Sequence, residues 1–236
     1  MKKMFFFAAM LLAAVTMQAE KVTLQAGSTD WINDSKSMAT ISFDLNDCVV
    51  VDFGTGNKIN KDFGTLDDYL SAKGLKKEAF TPQPATMDNF IAQFNKKNKK
   101  GLQLAISDVT KNAIKEMKPK RQKNYLKNGY ILEDQNVKYN IVVHVDTVDM
   151  GSGAQAATSQ MGGLIGLITS MPGADGGASM IGWAEVIDND TRDVVCELHV
   201  SRFYGVGAEA KTEVRFFRAL GAFISNQLPK AAKLKK

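Results

Sequence analysis

Two glutamates and two histidines are the side chains whose chemistry could support catalysis in this sequence. Glu185 and Glu197 lie in neighbouring strand-like segments, and a pair of carboxylates is what glycoside hydrolysis requires. His144 and His199 each lie in a strand-like segment, with no further ligand at metal-binding spacing. The spacings typical of serine hydrolases, zinc peptidases and phosphate-binding loops are missing. We therefore predict no catalytic residue, no metal site and no cofactor, with a small polysaccharide hydrolase as an alternative.

The segment 151–177 has the most unusual composition in the chain. It contains eight glycines, one Asp, and no Lys, Arg or Glu. A surface loop is ordinarily polar, so an apolar one indicates contact with lipid or with a partner. The alternative is a flap that folds over the sheet and covers one of its faces. The apolar side chains that form the predicted interaction site are Met161, Leu164, Ile165, Leu167, Ile168 and Met171.

A basic stretch runs from Lys96 to Lys127. It contains eleven Lys or Arg residues and two acids, Asp108 and Glu116. This density of positive charge could attract anionic lipid headgroups, lipopolysaccharide phosphates or nucleic acid. Only Tyr125 interleaves an aromatic ring with these charges, and the predicted export separates the chain from cytoplasmic nucleic acid. We therefore predict no nucleic-acid partner and interpret the stretch as a solvated face of helices and loops.

Cys48 and Cys196 are the two cysteines of the chain. In an exported protein they could form one disulfide that closes a long loop and stabilises the fold by about 2–4 kcal/mol. Both also lie in apolar strand-like runs, where a thiol acts as a small core side chain. The sequence leaves these two alternatives open.

The first nineteen residues have the pattern of a secretory signal peptide. Lys2 and Lys3 precede an uncharged apolar run, and Ala19 provides a small residue at the expected cleavage point. The apolar run is too short to cross about 30 Å of hydrocarbon as a helix. No Cys lies nearby that could carry a lipid anchor. We expect cleavage near Ala19, a periplasmic or outer-membrane-associated location, one domain over residues 20–229, and a basic tail over 230–236.

Periodicity predicts both strands and helices in the remaining chain. Alternating apolar residues predict strands around Ile41–Leu45, around Tyr139–Val145, and in a hairpin on either side of the turn 188–192. Thr65, Thr86 and Asp108 are predicted to cap helices that carry apolar residues at helical spacing. An amphipathic helix is predicted to begin at Thr212 and to end at Pro229.

The second half of the chain resembles a pattern of envelope proteins. The phrase YNIVVHVDTVDMG at Tyr139–Gly151 and the phrase GWAEVIDNDTRDVV at Gly182–Val195 precede the predicted C-terminal helix. This arrangement, over roughly Lys138–Leu228, resembles secreted domains of unknown function in Gram-negative bacteria. It is more distantly similar to the periplasmic α/β domain of the curli secretion channel subunit and of penicillin-binding-protein activator lipoproteins. Arg192 stands where the pattern usually has Gly, and the lipid-anchor cysteine is absent. The resemblance implies a non-enzymatic role in the envelope.

Together these features predict an α+β fold. We expect one mixed, mostly antiparallel sheet with helices packed on it and an amphipathic helix at the C-terminus. The predicted function is non-enzymatic binding or assembly in the cell envelope through the segment 151–177. The expected partner is an envelope protein or a membrane surface. A self-assembling channel or fibre subunit, and therefore a homo-oligomer, is a further alternative.

Overall fold

The computed structural model describes residues 22–53, 59–74, 84–133, 136–149, 179–204, 220–221 and 223–234. The predicted signal peptide and the predicted interaction site in segment 151–177 lie outside these residues, so both stay predictions. The first part of the helix predicted from Thr212 also lies outside them.

Eight strands form one mixed sheet in the described part of the chain. They are β1 (Val22–Gly27), β2 (Met38–Asp44), β3 (Val49–Phe53), β4 (Ile59–Thr65), β5 (Gln103–Leu104), β6 (Val137–Asp149), β7 (Ser179–Asp188) and β8 (Val194–Tyr204). Strands β1, β8, β7 and β6 are neighbours in that order, and each adjacent pair is antiparallel. Along its other edge, β6 pairs in parallel first with β2 and then with β3. Strand β5 pairs with β2, and β4 pairs with β3.

Strict alternation gives the central strands one buried face and one half-exposed face. In β6, Ile141 and Val143 are fully buried, whereas Val142 and His144 between and beside them are half-buried. Strands β7 and β8 alternate in the same way. The predicted alternation around Tyr139–Val145 and the predicted hairpin are therefore confirmed, and the α+β fold class is confirmed with them.

Five α-helices accompany the sheet among the described residues. A 3₁₀ turn covers Asp30–Asn33, and a π-helical turn covers Phe223–Gln227 directly before the last helix. One core joins the buried sheet face to Phe94 of the second helix and to Phe223 and Leu228 near the C-terminus. The helices are α1 (Leu66–Ala72), α2 (Pro84–Lys97), α3 (Asp108–Lys115), α4 (Pro119–Lys127) and α5 (Leu228–Ala231).

The predicted helix starts are correct in one case and displaced in two. Thr65 caps α1 through a capping box with Asp68, as predicted. Helix α2 begins at Pro84 and not after Thr86, because proline fits the first turn of a helix. Ser107, not Asp108, caps α3, and its hydroxyl accepts from the backbone N–H of Thr110.

The predicted stop at Pro229 is wrong. Pro229 lies in the first turn of α5, directly after the π-helical turn, and the helix continues to Ala231. Thr29 Oγ1 also donates to the carbonyl of Leu234 at 3.3 Å. The residues that follow Pro229 therefore continue a helix of the fold, and the predicted domain over residues 20–229 stays a prediction.

The two cysteine thiols are buried and free in the structure. Cys196 lies on β8, whereas Cys48 directly precedes β3, with β6 and β7 between those strands. Strands are spaced about 4.8 Å apart, so three such steps exceed the roughly 7 Å between Cα atoms that a disulfide allows. This arrangement corresponds to the alternative of two buried thiols and does not bring the sulfur atoms together for a bridge.

Candidate functional site

Two buried polar side chains on α2 position the neighbouring helices. Both oxygens of the Asp88 carboxylate accept from Ser107, one from its backbone N–H at 2.9 Å and the other from its hydroxyl. Seven residues later, Asn95 donates to the carbonyls of Leu104 and Gly129 and accepts from the N–H of Leu104. A spacing of seven residues places both side chains on the same face of the helix. Asp88 therefore holds the start of α3, and Asn95 holds the chain that leaves α4.

Gly129 allows that chain to approach α2 closely. Its φ is +96°, a conformation that L side chains rarely adopt. A Cβ at this position would lie 2.1 Å from the carbonyl oxygen of Ala92. Glycine is therefore required both by the backbone conformation and by the space available.

The junction between α3 and α4 is closed by one amide side chain. Gln122 donates to the carbonyls of Lys115 and Met117 at 2.7 and 2.8 Å. These carbonyls lie at the end of α3, where the helix leaves acceptors without intrahelical partners. Pro119 begins α4 with its φ already suited to a helix. The side chain of Gln122 thus fixes α4 against α3, because it donates to backbone carbonyls that would otherwise need water.

An apolar cavity of about 450 Å³ lies where α2, α3 and α4 meet. Pro84 and Ala85 contribute from the start of α2, and Tyr125 contributes from α4. Helix α3 and the residues that follow it supply most of the remaining wall, including Ala113, Ile114 and Met117. The volume is within the range of about 300–1,000 Å³ that is typical of small-molecule sites.

A second cavity of about 280 Å³ lies beside the first one, between α2 and α4; we call it the polar cavity because every side chain that lines it carries a polar group. Tyr125 and Tyr130 line both cavities, and their rings meet edge to face at 4.9 Å. Burial raises the pKa of the Tyr130 phenol, and Tyr125 and Asp88 add to the rise, so the hydroxyl stays protonated. The other residues that line this cavity are Asn89, Gln93, Lys96, Asn124 and Asn128.

The basic stretch is almost entirely exposed. Of its eleven Lys and Arg side chains, ten are exposed, and Lys111 is half-buried beside Asp108. Two large apolar side chains are exposed on the same helices: Val109 is 70% exposed and Leu126 is 51% exposed. No other large apolar side chain among the described residues is as exposed as these two. Helices α3 and α4 therefore present positive charge and apolar surface together.

The carboxylate pair considered as a hydrolase site lies on the sheet. Glu185 on β7 and Glu197 on β8 are direct register partners. Both are on the face that also carries His144, Trp183 and His199; we call these five residues the polar sheet face. Asp44, His144, Trp183 and His199 follow one another across β2, β6, β7 and β8 in register. The sheet therefore brings together the candidates that the sequence leaves far apart.

His144 is held from three sides. Its Nδ1 lies 3.2 Å from Asp44 Oδ2, and its Nε2 lies 3.3 Å from Glu185 Oε1. Its ring stacks on Trp183 at 4.0 Å with an interplanar angle of 14°. Both partners are carboxylate oxygens, which only accept hydrogen bonds. Both nitrogens that could transfer a proton are thus engaged with protein carboxylates.

Sequence reasoning missed the two cavities. Their walls come from α2, α3, α4 and Tyr130, and no local spacing reports such a meeting of separate elements. The available signals were Pro119, which begins α4, and Gly129, which follows it. Among the described residues, no three His, Cys, Asp or Glu side chains converge in a way that could hold a metal ion. Within the same part of the chain, no helix has the length and apolarity needed to cross a membrane.

Comparisons with known proteins show remote structural likeness only. No protein-family model matches the chain, and no curated protein matches it. Solved structures that resemble it include two crystal forms of dodecameric PelC from Paraburkholderia phytofirmans, one of them a point mutant, each 11% identical. The likeness covers 88% of this chain and 96% and 97% of those chains, with TM-scores of 0.32 and 0.31. At these TM-scores we base no functional conclusion on the likeness.

Proposed function

We propose that this protein is an exported, non-enzymatic binding protein of the cell envelope that contacts an anionic membrane surface through α3 and α4. One observation carries the proposal: the two most exposed large apolar side chains of the described residues, Val109 and Leu126, lie on these basic helices. Cationic and apolar side chains together are what hold an interfacial helix on anionic lipid.

The proposed contact uses two forces of different range. Each Lys or Arg near an anionic surface contributes about 1 kcal/mol, and this attraction falls off within a Debye length of about 8 Å at physiological salt. Val109 and Leu126 then add short-range apolar contact with the headgroup region. Binding should therefore depend strongly on salt and on the fraction of anionic lipid.

The segment 151–177 is the other proposed contact. Its six apolar candidates lie outside the described residues, so its role in binding an envelope partner, in homo-oligomers, or in a channel or fibre stays a prediction. A double substitution there, Leu164→Asp/Ile168→Asp, separates the two proposals. If binding uses α3 and α4, this variant keeps its affinity for vesicles.

The deciding experiment is co-sedimentation of the protein, purified without residues 1–19, with vesicles of phosphatidylcholine or of a phosphatidylcholine–phosphatidylglycerol mixture. We expect binding to the anionic vesicles alone, and at least roughly tenfold weaker binding for Lys120→Gln/Arg121→Gln/Lys123→Gln, since three cations are removed. The control Lys36→Gln/Lys73→Gln/Lys233→Gln removes the same charge from exposed positions elsewhere.

If the two triple variants lose vesicle binding equally, binding depends only on net charge, and α3 and α4 are not a specific contact. Glu185→Gln/Glu197→Gln tests the hydrolase alternative in the same assay, because a binding protein keeps its function without these carboxylates. Hydrolysis of an envelope polysaccharide by the wild type, abolished in this variant, would replace the proposal with an enzymatic function.

A further inference from the structure

The two cavities differ in the types of side chain that line them, and they share a wall. Tyr125 and Tyr130 face both spaces, so the apolar cavity and the polar cavity adjoin at this ring pair. On one side the wall is built mainly from aliphatic groups such as Ala113 and Ile114. On the other side four carboxamides surround the rings together with Lys96. A ligand that spans the pair meets aliphatic groups at one end and amide, phenol and ammonium groups at the other.

The charge around the polar cavity specifies the polar end. Lys96 Nζ donates to Asn128 Oδ1 at 3.3 Å, which holds the ammonium group at the cavity wall. Arg121 lies one helical turn before Tyr125, the spacing at which side chains on a helix are neighbours. The two acids of the basic stretch, Asp108 and Glu116, line neither cavity. An anionic group is therefore the complement of this end.

We propose that the two cavities form one site for a single-chain anionic lipid, with its acyl chain in the apolar cavity and its headgroup between Lys96 and the carboxamides. The inference rests on the proposed function, because the membrane surface that α3 and α4 contact supplies the lipid. It adds to that function a specific site that takes up one molecule, in place of adsorption alone.

The geometry favours a lipid over a wholly polar or wholly apolar ligand. The apolar cavity is the larger, about 450 Å³ against about 280 Å³, which suits a chain longer than its headgroup. Val109 lines the apolar cavity and is also 70% exposed, so the cavity opens at the same surface that is proposed to meet the membrane. The acyl chain of a lipid at that surface can enter the apolar cavity without crossing the core of the protein.

Titration calorimetry with dodecyl phosphate, below the concentration at which it forms micelles, tests the site. We expect 1:1 binding to the wild type, weaker binding of dodecanol, and no measurable binding of inorganic phosphate. Ala113→Phe fills the apolar cavity and should weaken the binding of dodecyl phosphate by about tenfold or more. The control Ala72→Phe places the same ring at an exposed position of α1 and should leave this affinity unchanged. Lys96→Gln should weaken the binding of dodecyl phosphate by about threefold to tenfold and leave the binding of dodecanol unchanged. The matched control Lys99→Gln should change neither affinity.

Equal affinity of wild type and Ala113→Phe overturns the inference, and so does the absence of dodecyl phosphate binding. The inference is also overturned if inorganic phosphate binds as tightly as dodecyl phosphate, because the alkyl chain then contributes nothing to the affinity. Vesicle binding without dodecyl phosphate binding removes the site and keeps the proposed surface contact. Dodecyl phosphate binding without vesicle binding supports the site and removes the surface contact.

Discussion

On the polar sheet face, polar side chains engage one another, whereas the cationic side chains of α4 face solvent. His144 lies between the carboxylates of Asp44 and Glu185 and against the ring of Trp183. Within the described part of the chain, no ion pair is formed by the Lys and Arg side chains of α4, and all four are exposed. Charges that are paired inside one protein contribute to its structure, and exposed charges of one sign attract an outside partner. This contrast is why we assign binding to the helices and a structural role to His144.

The largest loss of stability is expected from a substitution of Asn95, which holds the chain that leaves α4 against α2. Asn95→Ala leaves the N–H and C=O of buried Leu104, and the C=O of Gly129, without their side-chain partner. Unsatisfied buried groups cost about 1–3 kcal/mol each, so we expect the free energy of unfolding to fall by about 3 kcal/mol. Urea denaturation followed by circular dichroism measures this loss.

Asn89→Ala is the matched control, since Asn89 lies on the exposed face of the same helix and should change stability by less than about 0.5 kcal/mol. If the two alanine variants are equally stable, Asn95 does not hold the chain after α4, and the rigid placement of the cavities must have another source.

A smaller loss of stability is expected from a substitution on the polar sheet face. His144→Ala removes the stacking on Trp183 and leaves the carboxylates of Asp44 and Glu185 without their imidazole partner. We expect a loss of about 1–2 kcal/mol in the free energy of unfolding, with vesicle binding unchanged. His199→Ala, in the same row of the sheet, should cost less, because His199 does not bridge two acids in the structure. Loss of vesicle binding in His144→Ala would contradict the division between the two regions.

The two regions also differ in how far the sequence predicts them. The strands of the polar sheet face follow from alternation, because the side chains of a strand point to opposite faces wherever its partners lie. Their register does not follow, since pairing Glu185 with Glu197, or His144 with Asp44, depends on contacts between distant parts of the chain.

The helical region is less predictable for a physical reason. Helix α4 has no buried residue and no apolar stripe, so periodicity gives no signal for it. Its position depends on Gln122, and the chain that leaves it is held by Asn95 and by the positive φ of Gly129. A charged sequence indicates that such a helix is solvated, but it does not indicate what the helix packs against.

Cys48, which is buried in the core, gives a prediction of pH dependence. Burial raises the pKa of its thiol to about 12, and the carboxylate of Asp146 adds to the rise. The folded state therefore keeps this proton while the unfolded state loses it above about pH 9, so stability is complete below that pH and falls as pH rises. The loss attributable to Cys48 should be about 1.4 kcal/mol at pH 10.

The measurement is the difference in urea stability between pH 8 and pH 10, compared for the wild type and Cys48→Ala. The alanine variant should lack this part of the loss, although it is less stable at both pH values. Native protein should also resist alkylation by iodoacetamide at pH 8, because the thiolate is the reactive form. Identical pH dependence in the two proteins would contradict the raised pKa.

The smallest effect is expected in the turn that joins the two strands carrying Glu185 and Glu197. Arg192 has a φ of +67° and is the one described residue other than glycine with a positive value. The left-handed conformation costs an L side chain about 1–2 kcal/mol, part of which glycine gives back through its freedom in the unfolded chain. Arg192→Gly should therefore raise the free energy of unfolding by about 0.5–1 kcal/mol, while Thr191→Gly, with an ordinary φ, should lower it. A gain confined to Arg192→Gly, with unchanged vesicle binding, would mean that the turn tolerates this strain and that Arg192 is not part of the cationic surface.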